Sequence, residues 1–165
     1  MPLNSLSRDI FRFLERAEGS LLLKGEPGTG KTLLALRIAE EFENSFYVST
    51  RVSAKDLVDM YPFLKRSFSE RDVIDVYEKP MIIDARASAL AREIDDASSM
   101  ILWMKYEDKP SFLKELAFLV REKESPLVIV DSLEAIEEYV EREVLRDLLE
   151  MSSELDLRLI LVAEK

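Results

Sequence analysis

Apolar runs of strand length alternate with amphipathic stretches of helical length along most of the chain. SLSRDIFRFLERAEG places Leu6, Ile10, Phe13 and Leu14 on one helical face and reaches a stop at Gly19, predicting a helix over about 5–18. SLLLK at 20–24 reads as a buried strand, followed by a helix in KTLLALRIAEEFE, where Leu34, Ile38 and Phe42 recur at four-residue spacing. FYVS at 46–49 reads as a second strand and runs into Thr50 and Arg51. Short helices are expected over 53–80, broken near Tyr61 and Pro62 and closing at Lys79 and Pro80, before a third strand in MIID at 81–84. PSFLKELAFLVREKES predicts a helix that leads into a strand, LVIVD at 127–131. LEAIEEYVEREVLRDLLEMSSEL predicts another helix, with Ile136, Val140, Val144 and Leu148 on one face, and RLILVA at 158–163 a last strand. This alternation implies an α/β fold with a mainly parallel central sheet flanked by helices, in one domain over residues 1–165.

GEPGTGKT, residues 25–32, carries the strongest chemical signal, because it fits G-x-x-x-x-G-K-[ST] in full between a predicted strand and a predicted helix. Gly25, Gly28 and Gly30, with Glu26, Pro27 and Thr29 between them, let the backbone curl so that amides point inward at phosphates. The helix N-terminus adds partial positive charge. Lys31 is expected to reach the β and γ phosphates of ATP, and the Thr32 hydroxyl to sit on Mg²⁺.

Composition narrows the remaining chemistry. The chain has 33 acidic and 23 basic residues, a formal charge of −10, and so disfavours a bare nucleic-acid surface. It has no Cys, no His and no Gln, while Glu, Lys and Arg abound, a profile that fits an intracellular protein of a thermophile. Thiol nucleophiles, imidazole bases and the usual zinc ligands are therefore excluded. No apolar run approaches membrane-spanning length and no signal peptide opens the chain, so a cytoplasmic location is expected.

A phosphate loop needs an acid for its metal, ordinarily an Asp at the end of a neighbouring buried strand. Asp131 and Asp84 both end apolar runs, and Asp131 is favoured because a helix flanks its strand on either side. Its bland reading is a cap for the helix that starts at Ser132.

GEPGTGKTLLAL, FYVS, LVIVDSLEAI and RLILVAEK, taken together, resemble the core segments of RecA-like P-loop ATPases, in particular the archaeal branch of KaiC and the recombinase paralogues. The resemblance implies Mg-ATP at the carboxyl edge of the sheet, between subunits of a homo-oligomer in many members. It gives Lys31 and Thr32 the phosphate and magnesium roles, makes Asp131 the metal-linked acid, and places Glu164 where relatives sense the nucleotide state. STRVS is similar to the GvpD subgroup, which is linked to regulation more than to DNA motor work.

Two departures shape the functional expectation. Hydrolytic relatives carry glutamates just after the second strand, where this chain has Arg51 and Val52, neither of which can take a proton. Family modules also continue beyond the fourth core strand, so a chain ending at Lys165 is expected to be truncated or a minimal variant. Arg51 reads either as a γ-phosphate or subunit contact, or as a surface Arg paired with an acid such as Glu26 or Asp56. Glu134 is a candidate to orient water, although with Glu137, Glu138, Glu141 and Glu143 it reads more simply as a solvated face. Trp103 and Tyr106 read as core or interface. The expected function is an ATP-binding switch acting on assembly or a protein partner, with weak or absent hydrolysis. An active ATPase in DNA repair or signalling, and a small-molecule P-loop kinase, are the alternatives; the kinase lacks an Arg-rich lid, since Lys65, Arg66 and Arg71 are interleaved with other residues.

Overall fold

The computed structural model describes residues 5–16, 20–42, 44–52, 54–67, 81–84, 111–121, 123–134 and 144–164. In chain order the elements are α1 (Ser5–Glu15), β1 (Ser20–Lys24), α2 (Lys31–Glu41), β2 (Ser45–Ser49), α3 (Ala54–Met60), the single turn α4 (Leu64–Ser67), β3 (Met81–Asp84), α5 (Ser111–Val120), β4 (Leu127–Asp131), α6 (Val144–Glu154) and β5 (Arg158–Ala163). The five strands form one parallel sheet in the order β1-β5-β4-β2-β3.

Strands β2, β4 and β5 are buried on both faces, as central strands of a parallel sheet must be. Their alternate residues divide between two cores. Phe46, Val48, Val128, Val130, Leu159 and Leu161 pack with Leu113, Leu116 and Val120 of α5 and Leu148 and Met151 of α6. Tyr47, Leu127, Ile129, Ile160 and Val162 face the other way, against Ile10 and Leu14 of α1, Leu36 and Ile38 of α2, and Leu57 of α3. Each such side chain, fully buried, contributes roughly 1.5–3 kcal/mol relative to exposure.

The expected elements recur with shorter helices. The second helix ends at Glu41, because Phe42 turns extended and the Ser45 hydroxyl takes up the carbonyls of Ala39 and Phe42 at 2.6 and 2.5 Å. The helix expected across 110–125 ends at Val120, followed by a turn in which Ser125 adopts φ 42°. Of the long helix expected from 133, Leu133 and Glu134 are helical and α6 spans Val144–Glu154, while Ile136, Val140, Glu137, Glu138, Glu141 and Glu143 lie outside the described residues. Gly19, Arg71, Lys79, Pro80, Trp103 and Tyr106 lie outside them too. Among the described residues, no helix is long and apolar enough to cross a membrane.

At the amino ends of the strands, Arg158 joins three segments. Its guanidinium donates to Ser125 O at 2.6 and 2.9 Å and to Leu14 O at 3.3 Å, and lies 4.7 Å over the Phe42 ring. Burial, partly offset by Asp156 and Glu15, lowers its pKa from the ordinary arginine value.

Candidate nucleotide site

The loop between β1 and α2 takes the shape its glycines allow. Gly28 and Gly30 adopt φ of 77° and 85°, the left-handed region that other residues enter only with strain. The Gly25 N–H continues the sheet by donating to Ala163 O at 3.3 Å, which ties the start of the loop to the end of β5. Lys31 Nζ lies inside the curl, donating to Gly25 O at 2.8 Å and Glu26 O at 2.6 Å and standing 3.3 Å from Thr29 Oγ1. Thr29 in turn donates to Glu26 O at 2.7 Å, so the ammonium sits where phosphate oxygens would meet it.

Asp131 ends β4 beside this loop. Alternation puts its side chain on the α2 face, with Ile129, and the Thr32 hydroxyl at the start of α2 donates to its Oδ2 at 2.7 Å. The Tyr47 hydroxyl donates to the same oxygen. Burial, and then the charge of Asp131, push the Tyr47 phenol far above its ordinary value, so it stays a donor. A hydroxyl and one carboxylate side by side suit magnesium, which takes oxygen ligands and is held by one or two carboxylates together with phosphates and water. Asp84, the other candidate, ends β3 in register with Ser49, two strands further from the loop than Asp131.

These residues face a cleft of about 280 Å³ lined by Pro27, Gly28, Gly30, Lys31, Thr32, Leu33, Tyr61, Asp131, Val162 and Glu164. The structure thus brings together the phosphate loop, Asp131 and Glu164. Tyr47 and Tyr61 were not singled out by the sequence. A tyrosine buried on a central strand needs a partner for its hydroxyl, and that requirement is the signal that points to Tyr47.

Thr50 and Arg51 have different tasks. The buried Thr50 clamps β2 to β4: its N–H donates to Asp131 O at 2.8 Å, its hydroxyl donates to Ser132 O at 2.9 Å, and it accepts from Ser132 N–H at 2.6 Å. Arg51, half-exposed, reaches over the end of β4 to Glu164 Oε2 at 3.1 Å. Glu134 stands outside the cleft lining, where its Oε1 accepts the Glu164 N–H at 2.6 Å. Its Oε2 and the Ser132 hydroxyl are buried without a hydrogen-bond partner among the described residues.

A parallel sheet with this loop and acid at its carboxyl edge defines a nucleotide-binding domain of the P-loop ATPase class. More narrowly, residues 10–165 match the family described as the GvpD gas vesicle protein P-loop domain, and the chain belongs to that family. Its relatives include protein GvpD1 of Halobacterium salinarum, 26% identical over 164 residues, and GvpD2 of the same organism, 30% identical over 119 residues. These alignments cover 92% and 67% of this chain but 28% and 23% of the relatives, so the chain spans about a quarter of their length. The peroxisomal ATPase PEX6 of Arabidopsis thaliana is 39% identical over 74 residues, 45% of this chain and 7% of that protein. Among solved structures, B204, the DNA-packaging ATPase of Sulfolobus Turreted Icosahedral Virus, shares the fold with a TM-score of 0.53 at 12% identity, over 88% of this chain and 65% of that one.

Proposed function

We propose that the chain is a single Mg-ATP-binding domain that acts as a regulatory or assembly switch, in a cytoplasmic and archaeal setting, with weak or absent hydrolysis. Arg51 carries this reading. It stands where hydrolytic KaiC-like and recombinase-like relatives place their water-activating glutamate, and a guanidinium cannot take a proton. Lys31 and the loop amides would hold the phosphates, with Thr32 and Asp131 holding the metal. Bound magnesium supplies charge neutralisation between the phosphates. The Arg51 and Glu164 pair bridges the strand ends beside the cleft, so a γ-phosphate arriving there competes with Glu164 for the guanidinium. Release of Glu164 is then the signal passed to a second copy or a protein partner.

Mg-ATP is expected to raise the melting temperature, with turnover well below the order of 1 per second that ordinary ATPases reach. Turnover at or above that rate overturns the switch. An active ATPase has one observation in its favour, the carboxylate of Glu164 in the cleft lining, but that group's Oε2 is engaged by Arg51. Phosphorylated product from a screen of small alcohols and nucleotides with ATP would instead establish the kinase alternative.

A further inference from the structure

The hydroxyl of a buried tyrosine is satisfied by any nearby carbonyl, yet that of Tyr47 is spent on the acid of the site. Tyr47 sits on β2 in register with Ile129, two residues before Asp131 on the adjoining strand. Both side chains lie on the α2 face, and the diagonal spacing between neighbouring strands is one that a tyrosine spans. The ring is fully buried among Leu36, Ile38 and Ile129, which leaves its hydroxyl little freedom to turn elsewhere.

Two hydroxyls therefore converge on Asp131 Oδ2, that of Thr32 at 2.7 Å and that of Tyr47. A carboxylate oxygen with two donors in fixed directions cannot rotate without losing both. Oδ1 makes neither of these two bonds, and the proton Thr32 gives to Oδ2 leaves that hydroxyl's lone pairs available to a cation.

We propose that Tyr47 is a positioning residue for magnesium, fixing the Asp131 carboxylate, and through it the Thr32 hydroxyl, in the orientation that a metal-bound nucleotide requires. This rests on the Mg-nucleotide reading above and adds to it a residue one layer behind the ligands. Outer partners of this kind cost 10–100-fold in metal affinity when removed.

The test is Tyr47→Phe, which keeps the ring and deletes only the hydroxyl. Binding of a non-hydrolysable ATP analogue to the full chain is measured calorimetrically across a magnesium titration and again in EDTA. The Mg²⁺ concentration for half-maximal binding should rise about tenfold, while affinity in EDTA stays within about twofold of the parent. Phe46→Leu, on the same strand but facing the opposite core, is the packing control and should lower the melting temperature without moving the magnesium midpoint. An unchanged midpoint in Tyr47→Phe, or an equal shift in both variants, overturns the role of Tyr47 while leaving nucleotide binding intact. A parent chain that binds the analogue neither with magnesium nor in EDTA overturns both readings.

Discussion

The two ends of the central sheet are built from similar residues and differ in what the side chains there meet. At the amino end, polar side chains go to backbone carbonyls: Ser45 to Ala39 and Phe42, Arg158 to Ser125 and Leu14. At the carboxyl end Lys31, Thr29 and Thr50 also reach backbone carbonyls, but there side chains meet side chains as well: Thr32 and Tyr47 on Asp131, Arg51 on Glu164. The two buried polar atoms left without a hydrogen-bond partner among the described residues, Ser132 Oγ and Glu134 Oε2, are both at the carboxyl end. A pair of side chains can exchange partners when a ligand arrives, whereas a backbone carbonyl is held by the chain itself. The amino end is thus a seam and the carboxyl end a site, although both use arginine.

Substitutions at the two ends should separate along that line. Lys31→Ala should have the largest effect: at least about a hundredfold in Mg-ATP affinity, or about 3 kcal/mol, with the ligand-induced rise in melting temperature abolished and the free protein's stability little changed. Arg158→Ala should do the reverse, costing about 2 kcal/mol in denaturant unfolding through its lost charge-assisted bonds while leaving the ligand-induced rise intact. A loss of nucleotide binding in Arg158→Ala would break the contrast between seam and site. Thr50→Val strands the buried Ser132 N–H and should cost about 1.5 kcal/mol by the same measurement. Arg51→Ala removes an exposed ion pair and should change stability by less than about 1 kcal/mol. Its informative reciprocal is Arg51→Glu, which should raise basal turnover in a phosphate-release assay by restoring a carboxylate at the end of β2.

The phosphate loop was legible in the sequence because its chemistry is contiguous. The side chains of Thr29 and Lys31 bond within the loop itself, across no more than six positions, as in Lys31 to Gly25. The strands were legible for a similar reason, since LVIVD and RLILVA declare themselves as buried runs, and Asp131 could be preferred from its flanking helices. The contacts among strand ends were not legible. Thr32 meets Asp131 across 99 positions, Tyr47 meets it across 84 and Thr50 meets Ser132 across 82, and each depends on strand order and register. Both faces of β2 are buried, so its apolar pattern does not say which core Tyr47 enters. Thr50 and Arg51 adjoin in sequence, and only β4 lying between β2 and β5 makes one a clamp and the other a bridge.

The sheet's hydrogen-bond ladder continues past its strands in two places, between β1 and β5 through Gly25 N–H to Ala163 O and between β2 and β4 through Thr50 N–H to Asp131 O. The mouth of the cleft is therefore hooped like a cask, with the phosphate loop, β5, β4 and the tail of β2 bound into one rim. A rim bound this way answers a ligand by swivelling side chains rather than by sliding strands. The Gly25 and Thr50 amides would already be protected from exchange without ATP, whereas the loop amides that face the phosphates would gain protection when it binds.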